Sequence, residues 1–410
     1  MLNRRQFLAR LSLPVGAAAI PAVTYAHDMQ TTLSVVSQLA ATSGTPGEIS
    51  RDEDFWFEVR NEFTPDSSLI NLQSGGVSPS PRTVQEAVKR YLDYSNTTPT
   101  YTMWEILEPQ EEHIRSRLAR DWGVDAEEVA IVRGTSEGMQ ICQNGIDLEP
   151  GDAVVTTNQD DVRMIWTYQQ REAREGIVLK QISIPTPSED PAEIVRLFEE
   201  NITPRTKVIH MCHMINLSGQ ILPVREVADI AHARGLPLVV DGAHSFAHID
   251  FKISDLNCDY FATSLHKWLF APHGTGLLYV RRDRIADTWA LTAPPPEMND
   301  DIRKYEEIGT RPVALALGIG EALTFHHGLG AKRKEARMIY LREYWMNRLK
   351  EQDRIRWNTS QKPGMAAGIA NFDIPGVDLK AMNQWLFEAH GIVTHVTEHP
   401  EYTGFRVTPN

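Results

Sequence analysis

Short apolar runs alternate with amphipathic stretches through the middle of this chain. Runs near Val129, Val154, Ile177, Val208, Leu238 and Tyr260 have the length and the Val, Ile and Leu content of strands buried on both faces. Between them, stretches such as 191–201 and 224–234 space their apolar residues for helices with one buried face. Strand and helix in alternation imply an α/β fold, a mostly parallel sheet with helices on both sides. The prolines at 294–296 break the pattern, and residues 331–350 then read as a long helix entering a smaller α+β unit. Residues 27–50 are polar and rich in Ser, Thr and Gly, the composition of a linker. The predicted organisation is a leader at 1–26, a linker at 27–50, an N-terminal segment at 51–85, a large domain at 86–298 and a small C-terminal domain at 299–410. No internal repeat is visible.

The leader has its own pattern. Arg4 and Arg5 are followed by an uncharged stretch, 11–20, and by Thr24, Tyr25 and Ala26, a small-x-small cleavage site. A membrane span needs about 20 apolar residues, and this stretch is shorter and contains Pro14 and Gly16. The segment predicts a twin-arginine export signal, hence passage through the twin-arginine translocase, a periplasmic mature protein and no stable membrane anchor. Removing 1–26 takes away Arg4, Arg5 and Arg10 and no acid, so the formal charge moves from -13 to -16. A chain that acidic is a poor partner for nucleic acid or anionic membrane. Its three cysteines, Cys142, Cys212 and Cys258, have no paired spacing and fall in or beside apolar elements, so they read as buried structural thiols.

Candidate chemistry sits where the strands end. Residues 264–269 read SLHKWL after the run at 260–262 and before Gly274, Thr275 and Gly276. An amine lifted out of water loses hydration that favours its ammonium form, so Lys267 is a candidate to form a Schiff base with an aldehyde. The run at 238–240 ends in Asp241, Gly242, Ala243 and His244, a carboxylate at the end of a strand where open α/β sheets bind ligands. The run at 129–132 turns through Arg133, Gly134, Thr135, Ser136 and Glu137 into a helix, a natural phosphate cradle. A phosphate cup, an anion for a ring nitrogen and an amine for an aldehyde are what pyridoxal 5'-phosphate requires. His244 and His248, with Asp241 and Asp250 nearby, invite a metal reading, but four-residue spacing aligns ligands in a helix and these follow a strand and a glycine. No metal site is predicted.

On these residues the chain resembles class V aminotransferase-fold enzymes, and most of all their isopenicillin N epimerase-like branch. The resemblance spans roughly 54–410 and is most specific over 258–278, although Leu265 replaces a residue that is usually small. It implies fold type I, the aspartate aminotransferase-like fold. It implies that Lys267 carries the cofactor, that Asp241 pairs with the ring nitrogen, and that His244 and Asn216, in HMINLSGQILPV, lie by the phenolic oxygen. Gly134, Thr135, Ser136, Ser264 and His266 would hold the phosphate, with Gly309 and Thr310 reaching across from the partner of a homodimer. Arg406, in GFRVTP, would grip a substrate carboxylate, and Gly75 and Gly76 would sit on a substrate-facing loop.

Two positions depart from the family pattern. Where relatives carry an aromatic or histidine that stacks on the ring, this chain has Asp161, with Trp166 and Tyr168 as the nearest substitutes. Relatives also continue past the arginine motif into a final helix, so the chain reads as truncated. No cysteine falls in the C-terminal third, where a desulfurase of this fold carries its persulfide, and that activity is disfavoured. The resemblance implies an enzyme acting on an amino group of an amino acid or peptide-like metabolite. Aminotransferase chemistry is the first expectation. Epimerase or racemase and C–S or β-lyase chemistry are the alternatives, and a non-catalytic protein that binds pyridoxal phosphate or amines is a more distant one.

Overall fold

The computed structural model describes residues 35–409. The twin-arginine segment lies outside them. Seven strands form the central sheet: β1 (Val129–Val132), β2 (Ala153–Thr157), β3 (Val178–Ile182), β4 (Thr206–Cys212), β5 (Leu238–Asp241), β6 (Tyr260–Ser264) and β7 (Gly276–Val280). Their order across the sheet is β1-β7-β6-β5-β4-β2-β3, and β7 alone runs antiparallel to its neighbours. The six apolar runs of the sequence are the other six strands.

Alternate side chains feed two cores. Val155, Ile209, Val240, Phe261 and Leu277 pack on one face, and Val154, Val208, Val239, Ala262 and Leu278 on the other. This period of two places a helical layer against each face. Helix α1 (Thr135–Gly145) packs on β6 and β7, and helix α2 (Val162–Glu175) against α1.

A four-stranded antiparallel sheet forms the second unit, with Tyr402–Val407 between His395–His399 and Ala370–Asp373, and Arg356–Trp357 at the edge. Its boundaries differ from the expected ones. Helix Val313–Leu329, placed by sequence in the small domain, packs on Arg82–Ser95 and Glu111–Asp121. It is apolar nearly all round, and Gly318 lies so close to Pro272 and Val88 that a Cβ would meet them at 2.6 and 2.8 Å. Conversely, Ile70–Asn71 pairs in parallel with Ile392–Val393, stitching the N-terminal segment to the C-terminal unit.

The linker expectation fails over residues 35–50. Leu39 and Ile49 are buried with Phe55, Phe325 and Leu329, and Pro46–Ile49 is a helical turn closed by a Thr45–Glu48 capping box. Arg333 donates to the Leu39 carbonyl and Arg337 to that of Ser50, both at 2.9 Å. Composition misled because two apolar anchors suffice to dock a polar segment. Among the described residues no helix is long and apolar enough to cross a membrane.

Candidate active site

The cavity opens at the C-terminal edge of the sheet, with a volume of about 400 Å³. Gly134, Thr135 and Ser136 line it from the start of α1, Asp161 and Arg163 from the start of α2, Asp241 and Ala243 from the end of β5, and Ser264, His266 and Lys267 from the end of β6. Gly76 lines it from the N-terminal segment.

The phosphate cradle is built by close approach. No side chain caps the N-terminus of α1, which starts after Gly134. Its first N–H groups have no partner within the helix, which suits an anion. Thr135 N–H donates to Ser264 Oγ at 2.9 Å, and the two hydroxyls lie 2.8 Å apart, tying the helix start to β6. A Cβ on Gly276 would lie 2.5 Å from Gly134 Cα, so glycine at 276 is what lets the two loops meet. His266 is held neutral, its pKa pushed down to about 4, first by burial and then by Lys267.

Lys267 and Asp241 face the cavity together. Part of the Lys267 surface opens into it, yet burial is the largest influence on the amine and lowers its pKa to about 8, with Asp241 and then Asp161 opposing. Burial raises Asp241 to about 7, against the hydrogen bond from Ala243 N–H at 2.8 Å and with help from Asp161. Gly242 permits the turn after Asp241, because a Cβ there would fall 1.9 Å from the Phe261 ring. His244 stands behind Lys267, Nε2 to Nζ at 3.0 Å. Burial first, then the Lys267 and Arg406 charges, push its pKa well down, so it is a neutral imidazole.

The support of this pair is absent from any motif. His248 Nε2 accepts from Gly368 N–H at 2.8 Å, so its Nδ1 donates to the His244 carbonyl at 2.9 Å, and its ring packs on Trp268 with centroids 4.0 Å apart. Both nitrogens are thereby engaged with the backbone. Lys334 is a second buried lysine, lowered to about 7 by burial, whose Nζ donates to the Trp268 carbonyl at 2.5 Å. In sequence it sits in a helix of ordinary amphipathic appearance, and nothing there singles it out.

Arg406 is buried on the strand Tyr402–Val407. Its Nη1 donates to the Asn216 carbonyl at 3.1 Å and its Nη2 to Gln73 Oε1 at 2.8 Å, while Nε is buried without a partner. Burial lowers it to about 10, opposed by Asp161. Asn216 thus acts here through its carbonyl, as a support of Arg406.

Two expectations change, on Gly75 and on the stacking ring. Gly75 is pinned behind the cavity, its N–H donating to Thr408 Oγ1 at 2.9 Å, so only Gly76 faces in. Gly309 and Thr310 lie exposed on a turn outside the cavity, Gly309 at φ +76°, so this chain does not bring them to its own site. Neither substitute for a stacking ring reaches the cavity: Trp166 is 59% exposed, and Tyr168 is buried in the core against His210. The helical period carries both away, and Asp161 itself holds the position as the cap of α2, accepting from Arg163 N–H at 3.0 Å. The cysteines are buried, and burial pushes all three thiols up, which makes them poor nucleophiles.

These residues fit a flat, phosphorylated aldehyde. His266 Nδ1, on a residue lining the cavity that holds the anion cradle, the carboxylate and the amine, is a buried polar atom without a protein partner, as are His244 Nδ1, behind Lys267, and Arg406 Nε. Buried polar groups are rarely left unpaired without a functional reason. Isopenicillin N epimerase of Streptomyces clavuligerus is 27% identical over 372 residues, 87% of this chain and 94% of that protein. A probable cysteine desulfurase of Halalkalibacterium halodurans is 28% identical over 360 residues, 84% and 86% of the two. Among solved structures, a C-DES variant with glycine covalently linked to its PLP cofactor aligns with a TM-score of 0.77 at 20% identity, over 86% of this chain and 94% of that one. A cysteine desulfurase from Escherichia coli aligns at 0.74 and 20%, over 90% and 94%. The fold is fold type I. Residues 70–401 match the Aminotransferase class-V family, and with the site they enclose they place this chain in that family of pyridoxal-phosphate-dependent enzymes.

Proposed function

We propose that the protein moves the Cα proton of an amino acid or peptide-like metabolite that carries a carboxylate. The observation that carries this reading is Lys267, an amine lowered to about 8 and placed 3.0 Å from a neutral imidazole in a cavity that Asp241 also lines. Bound pyridoxal phosphate supplies an aldehyde for amines and an electron-withdrawing ring. The chain's residues do the rest. Thr135, Ser136, Ser264 and His266 would hold the phosphate, and the Asp241 carboxylate would keep a proton on the ring nitrogen. Lys267 would attach the cofactor and, once displaced by the substrate amine, take the Cα proton as general base. His244 holds the Lys267 amine in place, and Arg406, whose Nε has no protein partner, is the candidate to bind the substrate carboxylate.

Two outcomes start from this proton removal. Delivery of a proton to the opposite side of Cα gives epimerisation, and delivery to the cofactor carbon gives transamination, the first expectation from sequence. Similarity to isopenicillin N epimerase along nearly its whole length, together with the Asp161 side chain on the cavity wall, favours epimerisation. A desulfurase reading lacks a reactive thiol among the described residues. Incubating the cofactor-loaded protein with single enantiomers of amino acids tests the choice. Appearance of the other enantiomer without keto acid is expected, and keto acid formation would establish transamination instead.

The same reading extends to assembly and address. A homodimer would bring the partner's Gly309 and Thr310 to each phosphate, and exposed Leu92, Tyr94, Tyr101 and Trp104 offer apolar surface for it. Arg4 and Arg5 before the uncharged stretch 11–20 support export of a folded, cofactor-loaded protein to the periplasm.

A further inference from the structure

Asp161 is the residue that the family pattern does not explain. Its backbone leaves the end of β2, whereas Lys267 follows β6, and β4 and β5 lie between them. Three strand spacings separate the two origins by about 14 Å, with Asp241 rising from β5 in the middle. The two residues therefore enter one cavity from opposite sides. Among its lining residues no Phe, Tyr or Trp is present.

The carboxylate is held and yet available. Oδ1 caps α2 through Arg163 N–H at 3.0 Å and lies 3.8 Å from Arg163 Nη1, and the side chain keeps 28% of its surface exposed. The adjacent Asp160 does the structural work of this turn. It accepts from Thr156, Thr157 and Cys212 and is fully engaged, which frees Asp161 from that duty. The other acids at the cavity have assigned partners: Asp241 is held by Ala243 N–H, and Glu137 is paired with Arg133. The charged groups that feel Asp161 are Asp241, Lys267 and Arg406, besides its neighbour Arg163.

We propose that Asp161 is a second proton-bearing catalytic residue, facing the substrate from the side opposite Lys267. This inference rests on the Cα-proton reading above and makes it specific. In one direction the Cα–H bond breaks toward the Asp161 carboxylate, which becomes the carboxylic acid. The electron pair left at Cα forms a new C–H bond on the other side with a proton of the Lys267 ammonium, which becomes neutral amine. The opposite enantiomer uses the pair in reverse, and exchange with solvent restores both groups. In this scheme transamination uses Lys267 alone and inversion uses both residues, and a carboxyl group at position 161, unlike a Phe or Trp ring, can carry the second proton.

The test uses Asp161→Asn, which keeps the oxygen that caps α2. Cofactor-loaded protein is incubated in D2O with L-alanine or D-alanine, and loss of the Cα proton is followed by NMR. Wild type exchanges both enantiomers, and the variant loses exchange of one of them by about a hundredfold or more while keeping the other. Equal loss for both, or loss for neither, overturns the proposal and leaves the Cα-proton reading standing. Exchange of neither enantiomer by a wild type that has bound the cofactor sinks that reading and this one together. A measurement without turnover accompanies it. Cofactor-free variant should take up pyridoxal phosphate with a pH midpoint lower than wild type by about half a unit or more, because a negative charge facing the lysine is gone. An unchanged midpoint would put Asp161 out of reach of Lys267 and overturn the assignment.

Discussion

Lys267 is read by its charge state. Burial disfavours its ammonium form, so its amine becomes reactive above about pH 8 rather than near 10.5. Cofactor capture by the cofactor-free protein should therefore rise through pH 8, and a rise only above pH 10 would mean that the amine is not desolvated. Borohydride should fix the cofactor to Lys267 and abolish the near-visible band, as peptide mapping would verify. Asp241→Asn keeps shape but cannot stabilise the ring cation, so turnover should fall about a hundredfold, roughly 3 kcal/mol at the transition state, with the cofactor still attached. Normal turnover in this variant would remove Asp241 from the site. Arg406→Lys keeps charge and loses the fork, so KM for a carboxylate substrate should rise far more than cofactor occupancy falls.

Elements set these residues in place through close approach. Gly276→Ala would drive a Cβ to 2.5 Å from the Gly134 backbone, which cannot yield as a side chain can. It should destabilise the fold by about 1–3 kcal/mol, as overpacking does, and weaken phosphate retention, both readable by thermal melts with and without cofactor. The helix Ala331–Leu349 carries Lys334, whose pKa falls to about 7 on folding. Between pH 7 and about 10.5 the unfolded chain binds more protons there, so stability from this group rises with pH across that window. Measured against Lys334→Met, wild type should gain melting temperature on going from pH 6.5 to 9.5. A constant gap between the two would show that the lysine is not buried.

At the scale of the molecule, export and assembly each make a testable prediction. Replacing Arg4 and Arg5 with Lys should strand the precursor in the cytoplasm, since the pair is what the export receptor reads. Unchanged periplasmic yield would remove the twin-arginine assignment. Sedimentation should find a dimer whose dissociation loosens the phosphate, because Gly309 and Thr310 lie outside the cavity of their own chain.

Much of this was legible in the chain itself. Strands buried on both faces must be continuous apolar runs, so six of the seven strands of the main sheet stand out by composition. The residues that follow them, Gly134 to Ser136, Asp241 and Lys267, are local in sequence because a parallel sheet delivers ligands from its strand ends. Contacts between distant segments left no such trace. The docking of residues 35–50 on the helix Val313–Leu329, the Asn216 and Gln73 grip on Arg406, and the Lys334 bond to Trp268 each join residues far apart in the chain. Periodicity reports which face of an element is buried and not what covers it. The sequence could likewise show that Asp161 stands where relatives carry an aromatic or histidine, but only the strand order could show that it enters the cavity from the side opposite Lys267, since lateral position in a sheet is a property of pairing and not of the residues that follow one another.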